Sequence, residues 1–173
     1  MSFEKIPIGK KAPEVINVVV EIPRGTSNKY EYDEELDEIR LDRVLHSAVF
    51  YPIDYGFIPE TRAEDGDHLD VLVLISQPTF PGCVLEVRPV GVLDMTDEAG
   101  KDWKIIAVAH KDPTYADVKN IEDVNKHLKK EIVQFFETYK NLEDKWAKIK
   151  GWEDVGEANR RLKEAQERFV KKG

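Results

Sequence analysis

Residues 64–75 read Glu-Asp-Gly-Asp-His-Leu-Asp-Val-Leu-Val-Leu-Ile, an acidic turn that leads directly into a continuous apolar segment. The apolar run from Leu69 to Ile75 is typical of a strand that is buried on both faces. An isolated Asp-x-Asp is more often a solvated turn. Here, however, Asp70 stands at the mouth of a buried strand, so its carboxylate is held in place, as a metal ligand should be.

The segments on either side of this strand also favour β structure, because they are short, rich in branched side chains and separated by turn residues. The other predicted strands are Val15–Ile22, Lys29–Tyr32, Glu38–Arg43, Cys83–Arg88, Gly91–Met95 and Trp103–Ala109. Between the last two, residues 96–101 resemble a hairpin loop with Gly100 at a positive φ. The first two-thirds of the chain therefore predicts a sheet.

The final third changes to helical periodicity. Apolar residues fall three or four apart from Ile121 to Tyr139, with Asn120 as the expected N-cap. A second helix is expected from near Asp154 through Phe169. Strands followed by helices predict an α+β fold, with a small antiparallel barrel or closed sheet. Without repeats or a linker, residues 1–173 are expected to form a single domain.

The bulk composition narrows the functional classes. The net charge of −8 argues against a nucleic-acid partner, because binding to phosphate backbones depends on clustered Lys and Arg. Acidic residues can still recruit Mg²⁺, which presents positive charge to a phosphate substrate. Cys83 is the only cysteine, and no apolar run approaches the length of a membrane span or a signal sequence. A cytoplasmic protein with no membrane partner is expected.

The aspartates of the acidic turn do not fit a calcium loop of the EF-hand type. If the loop began at Asp65, its positions 5, 6 and 12 would be Leu69, Asp70 and Ser76, none of which suits that motif. Carboxylates this close repel one another unless a cation lies between them. A different metal site remains the functional interpretation, and a solvated acidic turn the alternative.

Other polar groups allow the same two interpretations. Asp102 and Lys104 share one face of a predicted strand, near Asp97 and Glu98, while Trp103 and Ile105 point the other way. A further polar set comprises Glu21, Lys29, Glu31 and Arg43. Considered alone, each group is an ordinary polar face or hairpin tip.

Aromatic residues are concentrated in residues 50–57. Phe50 and Phe57 are expected in the core, whereas the hydroxyls of Tyr51 and Tyr55 need partners and suit phosphate oxygens equally well. Tyr139 and Lys140 pose the same choice between a structural role and a substrate contact.

Many short motifs occur in a consistent order along the chain. They are Glu-Ile-Pro (21–23), Lys-Tyr-Glu (29–31), Asp-Arg (42–43), Phe-Tyr-Pro (50–52), Asp-Tyr-Gly (54–56), Asp-Gly-Asp-His-Leu-Asp (65–70), Arg-Pro-Val-Gly (88–91), Met-Thr-Asp-Glu-Ala-Gly (95–100), Phe-Phe-Glu-Thr-Tyr-Lys (135–140) and Gly-Trp-Glu (151–153). Together they resemble the soluble family I inorganic pyrophosphatases, from about residue 13 to the C-terminus. One departure is His68, where members usually carry proline; it is either a structural substitution or a residue that tunes the neighbouring base.

The resemblance implies an Mg²⁺-dependent enzyme that hydrolyses pyrophosphate, with a five-stranded OB-type barrel, flanking helices and a homohexameric assembly. It implies that Asp67 orients the attacking water and accepts its proton. The implied metal ligands are Asp65, Asp70, Asp97 and Asp102. The implied phosphate contacts are Lys29, Arg43, Tyr55, Lys104, Tyr139 and Lys140, supported by Glu21, Glu31, Tyr51 and Glu98.

Physical chemistry supports this combination, because bare carboxylates would repel pyrophosphate whereas bridging Mg²⁺ ions reverse the field. The sequence contains neither a P-loop nor a His-Glu-x-x-His motif. Two alternatives remain: a two-metal phosphohydrolase acting on nucleotides or short polyphosphates, and an OB-type module that binds nucleic acid. The second would require a basic surface with exposed aromatic residues.

Overall fold

A computed structural model describes residues 2–172. Within that range the chain forms eight strands and two α-helices. The strands are β1 (Ile16–Ile22), β2 (Asn28–Asp33), β3 (Glu38–Val44), β4 (Asp54–Ile58), β5 (Leu69–Leu74), β6 (Val84–Asp97), β7 (Gly100–Ala109) and β8 (Ala147–Glu153). The helices are α1 (Lys126–Thr138) and α2 (Val155–Lys172). The predicted α+β organisation, with strands preceding the helices, is confirmed except that β8 lies between the two helices.

Five strands close into a ring in the order β1-β4-β5-β7-β6, because β6 also pairs with β1. β8 extends the sheet on the outer side of β6. β5 and β7 run parallel, with Val71 opposite Ile105, so the expectation of an antiparallel barrel is wrong for this pair. β2 and β3 form a separate two-stranded sheet, called the hairpin below.

Both faces of the ring strands are buried, which explains their continuous apolar runs. In β5, Leu72 packs in a cluster with Phe136 of α1, whereas Val71 and Val73 pack in a cluster with Leu162 of α2. Alternate residues along one strand therefore contribute to two different cores. The backbones of β4 and β1, which pair antiparallel, also approach closely at Gly56. A Cβ atom on Gly56 would lie 2.0 Å from the carbonyl oxygen of Val19.

Two predicted strands, Cys83–Arg88 and Gly91–Met95, are one continuous strand, β6. Its pairing with β7 shifts between Pro89 and Gly91, because proline has no N–H to donate to the ladder. The first part of β6 closes the ring against β1, and the second part pairs with β8. The loop that connects β6 to β7 has Gly100 at φ 125°, and this positive φ was predicted.

The prediction that the first helix begins at Ile121 is wrong. Asn120 instead caps a short 3₁₀ turn, and Val124 then has extended backbone angles that interrupt the helical path. α1 begins at Lys126, with Asn125 accepting hydrogen bonds from the backbone at its start. The start of the second helix is confirmed, since Asp154 accepts from the Glu157 N–H at 3.0 Å. Within residues 2–172, neither helix combines the length and the apolar character needed to cross a membrane.

Candidate active site

A polar cleft of about 670 Å³ lies beside the ring, between the ring strands, the hairpin and the end of α1. Each of the five ring strands contributes a side chain to its lining. These are Glu21 from β1, Tyr55 from β4, Asp70 from β5, Asp97 from β6, and Asp102 and Lys104 from β7. The closed ring therefore brings together residues that are more than eighty positions apart in sequence.

Lys104 lies at the centre of this arrangement and is 3% exposed. Its Nζ donates to Asp70 Oδ2 at 2.8 Å, to Asp102 Oδ1 at 3.1 Å and to the hydroxyl of Tyr55 at 3.0 Å. Burial alone would lower the pKa of Lys104, but the nearby charge of Asp70, with Tyr55 and Asp102, raises it well above its usual value. Lys104 is therefore held as a cation between two carboxylates.

The acidic loop, residues 62–68, also contributes to the lining of the cleft. Asp67 lies in the cleft, and its N–H donates to Asp65 Oδ1 at 3.0 Å. Gly66 adopts a φ of 100°, which lets the chain turn sharply between the two aspartates. Burial raises the pKa of Asp67, and the charges of Asp65 and Asp70 raise it further. The carboxylate of Asp67 is thus more basic than an ordinary aspartate.

The hairpin contributes cations to the lining of the cleft. Lys29 on β2 contacts Glu31, and its Nζ lies 3.5 Å from Asp42. Burial lowers the pKa of Lys29. Arg43 on β3 pairs with Asp42, and its Nε lies 2.7 Å from Glu143. The guanidinium is therefore held between carboxylates of the hairpin and of the loop after α1.

Residues that directly follow α1 and residues at the tip of β6 also line the cleft. Lys140 Nζ donates to Asp97 Oδ2 at 3.0 Å and lies 3.5 Å from Glu98 Oε1. Burial would raise the pKa of Asp97, but the hydrogen bonds from Lys140 and from the Ala99 N–H, together with the charge of Lys140, outweigh it, so the pKa is lowered. Tyr139 lines the cleft beside Lys140 and is largely buried, so both substrate-contact candidates face the same space.

Glu21 lies deep in the cleft and is 8% exposed. Burial, followed by the charge of Asp70, raises its pKa to about 8. Glu21 Oε1 accepts the N–H of Tyr32 at 2.7 Å, which ties β1 to the hairpin. Tyr51 is buried behind the lining, with its ring 5.8 Å from that of Tyr55.

Twelve of the fifteen predicted site residues line the cleft: Glu21, Lys29, Glu31, Arg43, Tyr55, Asp67, Asp70, Asp97, Asp102, Lys104, Tyr139 and Lys140. The other three lie next to it. Asp65 borders a smaller adjoining pocket with Asp70 and Asp102, Tyr51 stands behind Tyr55, and Glu98 contacts Lys140.

Sequence reasoning missed two charged residues of the lining, Lys145 and Glu34. Lys145 lies five residues after Lys140, in a loop whose sequence has no helical or strand periodicity. Nothing in the sequence therefore marked Lys145 as a site residue. Glu34 lies in the turn between two strands that both carry predicted site residues, which could have drawn attention to it.

The prediction that Phe50 is a core residue is wrong, because Phe50 is 61% exposed, whereas Phe57 is buried as expected.

Whether the cleft suits a metal ion depends on its donor atoms. Among residues 2–172, no three Asp, Glu, His or Cys side chains form a ready-made metal cluster. The carboxylates of Asp70 and Asp102 already converge on one cation, Lys104 Nζ. Burial raises the pKa of Asp102 despite the opposing charge of Lys104, so additional positive charge would be favourable there. A set of carboxylate oxygens with these properties fits a hard divalent cation such as Mg²⁺.

Carboxylates that alternate with lysine and arginine in one cleft are typical of enzymes that act on phosphate compounds with the help of divalent cations. Comparison with known proteins identifies the family within that class. The inorganic pyrophosphatase family model matches residues 18–170. The chain therefore belongs to the inorganic pyrophosphatase family.

Individual relatives agree with this assignment. The chain is 54% identical over 155 residues to an inorganic pyrophosphatase from Nostoc, covering 90% of this chain and 91% of the relative. It is 52% identical over 167 residues to one from Saccharolobus solfataricus, covering 95% and 97%. The crystal structure of inorganic pyrophosphatase from Thermus thermophilus superposes with a TM-score of 0.95 at 50% identity, covering 98% and 99%.

Proposed function

We propose that this protein hydrolyses inorganic pyrophosphate to two orthophosphates in the polar cleft, with Mg²⁺ as its cofactor. Family membership and the names of its relatives support the reaction and a divalent metal cofactor. The observation that carries the proposal is the pairing of carboxylates and cations in one cleft, exemplified by Lys104 between Asp70 and Asp102. A cleft of carboxylates alone would repel so highly charged an anion.

The roles divide by charge. The carboxylates of Asp65, Asp70, Asp97 and Asp102 would hold Mg²⁺. The phosphate groups would be contacted by Lys29, Arg43, Tyr55, Lys104, Tyr139 and Lys140. Glu21, Glu31, Tyr51 and Glu98 support these residues; for example, Glu31 contacts Lys29 and Glu98 approaches Lys140. Mg²⁺, when bound, neutralises the substrate and makes the attacking water more acidic.

Asp67 is the general base in this proposal. Its carboxylate is part of the cleft lining and its raised pKa favours acceptance of a proton from the attacking water. Lys104 and Tyr55 are hydrogen-bonded to each other, so the ammonium charge and the phenol hydroxyl face the same region of the substrate. Lys140 and Arg43, which lie elsewhere in the cleft lining, stabilise negative charge on the leaving phosphate.

The proposal extends to the architecture of the whole protein. We infer one domain over residues 1–173, an OB-type barrel built on the five-stranded ring, a cytoplasmic location and a homohexamer. Large apolar side chains on the surface of the single chain support assembly, because Phe50, Phe80, Leu142 and Trp146 are each more than half exposed.

The test is phosphate release from pyrophosphate with Mg²⁺ and after treatment with EDTA. Activity that depends on Mg²⁺ supports the proposal, and equal activity after exhaustive chelation contradicts the metal mechanism. ATP and tripolyphosphate are tested in parallel, since a clear preference for either would favour a broader phosphohydrolase. Asp65→Asn, Asp70→Asn and Asp102→Asn should each raise the Mg²⁺ concentration needed for activity. Asp117→Asn, at an exposed carboxylate outside the cleft lining, is the matched control.

A further inference from the structure

Glu34 bridges the two ends of the acidic loop from outside that loop. It lies in the turn between β2 and β3, whereas Arg62 and His68 are the first and last residues of the loop. Arg62 Nη1 contacts Glu34 Oε1, and Arg62 Nη2 donates to Oε2 at 3.1 Å. His68 Nε2 lies 3.1 Å from the same Oε1 atom. One carboxylate thus contacts both ends of the segment that carries Asp65 and Asp67.

The two loop residues that contact Glu34 are themselves held in place. The His68 ring stacks on Phe57 with centroids 4.9 Å apart, and its Nδ1 lies 3.1 Å from the carbonyl oxygen of Thr61. Because a carbonyl only accepts hydrogen bonds, Nδ1 is the donor in this contact, and Nε2 has a proton to donate to Glu34 only when the ring is protonated. Burial lowers the pKa of His68, so the ion pair with Arg62 is the stronger link to Glu34 at neutral pH. Arg62 packs over the ring of Phe169 in α2 at 5.7 Å. Glu34 therefore links the hairpin to side chains that are anchored on the ring and on α2.

The loop between these contacts is short and its ends are joined by its own backbone. The N–H of Ala63 donates to the carbonyl oxygen of Asp67 at 2.7 Å. Any movement of the loop ends is thus transmitted directly to Asp67. Glu34 and Arg62 also act on the electrostatics of Asp67: besides the larger effects of burial and the neighbouring aspartates, Glu34 raises its pKa and Arg62 lowers it.

We propose that Glu34 is a positioning residue for Asp67, acting through its two-point contact with Arg62 to hold the acidic loop against the hairpin. This inference depends on the proposed function, because Asp67 is the general base only in that reaction. The contact also couples the two halves of the cleft. Lys29 and Arg43 lie on the strands that flank Glu34, so the same clamp sets the distance between the phosphate-binding hairpin and the base.

Glu34→Ala tests the proposal in the full-length protein with pyrophosphate and saturating Mg²⁺. We expect kcat to fall about tenfold, since small displacements of a reacting group lower the rate by up to about 10²-fold. KM for pyrophosphate should change less than about threefold, because the phosphate contacts remain. The Tm should fall by no more than about 4 °C, since Glu34 is 45% exposed and such ion pairs add little stability. Glu34→Gln, which keeps the shape and one acceptor oxygen, should recover part of the lost rate.

Arg40→Ala is the matched control, because it removes an ion pair of the same hairpin, Arg40 to Asp33 at 3.0 Å, without contact to the loop. It should leave kcat unchanged. Hydrogen exchange gives a readout independent of catalysis: the Ala63 amide should exchange faster in Glu34→Ala than in the wild type or Arg40→Ala. Unchanged exchange, or a kcat within about twofold of wild type, would overturn the proposal. A wild-type protein without pyrophosphatase activity would instead refute the proposed function, while the exchange result would still test the clamp.

Discussion

Replacing Lys104 with methionine should destabilise the metal-free protein strongly. The side chain of Lys104 is 4% exposed, and those of its partners Asp70 and Asp102 are 31% and 26% exposed. Methionine has a similar volume but no charge, so the substitution leaves two neighbouring carboxylates without the cation that they share. The effect of Lys104→Met therefore measures how far this ammonium group holds the cleft together.

The size of the effect follows from the burial of these groups. Removing one partner of a buried ion pair destabilises a protein by about 3–5 kcal/mol. The lower end, about 3 kcal/mol, applies here because both carboxylates keep some contact with water. For a chain of this length, that loss corresponds to a fall in Tm of about 6–12 °C.

The loss should also depend on pH. A buried carboxyl group without a cation has a raised pKa in the folded state, so its ionisation destabilises the fold as pH rises above its unfolded pKa. The pKa of Asp102 is already raised when Lys104 is present. The difference between Lys104→Met and wild type should thus be largest at about pH 8 and shrink as pH falls towards about 4.5, where the carboxyl groups take up protons.

Urea unfolding in EDTA at both pH values provides the measurement, and added Mg²⁺ should recover part of the loss through binding to the folded state. The control is Lys111→Met, which removes an exposed pair with Glu86 and should change stability by less than about 1 kcal/mol. A Lys104→Met loss no larger than that of the control, or one that grows as pH falls, would refute the reasoning.

Four further outcomes are expected. Glu21→Gln should stabilise the metal-free protein at about pH 9 but not at about pH 4. The pKa of Glu21 is raised to about 8 in the folded state, so its carboxyl group lowers the free energy of unfolding progressively as pH rises from its ordinary pKa to that value; an equal difference in unfolding midpoint between variant and wild type at both pH values would contradict this. Asp67→Asn should lower kcat by about 10²–10⁴-fold, and recovery at saturating Mg²⁺ would instead make Asp67 an ordinary ligand. Gly56→Ala should cause loss of folded protein, measured by circular dichroism, because its Cβ would meet the Val19 carbonyl at 2.0 Å. Sedimentation should detect a homohexamer, and a stable 19.9 kDa monomer at micromolar concentration would reject it.

The parts of the fold that were predictable from sequence are those with a strong local pattern. The apolar run of β5 and the Asp154 cap of α2 are confirmed within a residue of their predicted limits. β8 was missed because its sequence, Ala-Lys-Ile-Lys-Gly-Trp-Glu, has lysines at alternate positions and only partial burial. The start of α1 was misplaced because the apolar spacing of Ile121 and Val124 continues that of the helix, although the backbone at Val124 is extended.

The candidate site was predictable as a set of residues but not as a geometry. The sharing of one strand face by Asp102 and Lys104 follows from the two-residue period, and the structure confirms it with a contact of 3.1 Å. The contact of Lys104 with Asp70 depends on the parallel pairing of β5 and β7, which no local pattern indicates. The contacts of Glu34 were not predictable from a local pattern either, because its partners Arg62 and His68 are about thirty residues away in sequence.

The five ring strands each supply a residue to the cleft, and this has a consequence for protein synthesis. A nascent chain that has emerged only as far as β6 already contains Glu21, Tyr55, Asp70 and Asp97, but it lacks the strand that joins β5 to β6. Because side chains alternate between the two faces of a strand, a slip of one residue in any ring strand would also turn its cleft residue away. Catalytic competence thus arises only late in synthesis, once β7 and then Tyr139 and Lys140 after α1 have emerged, and a partly made or misregistered chain should have none of it.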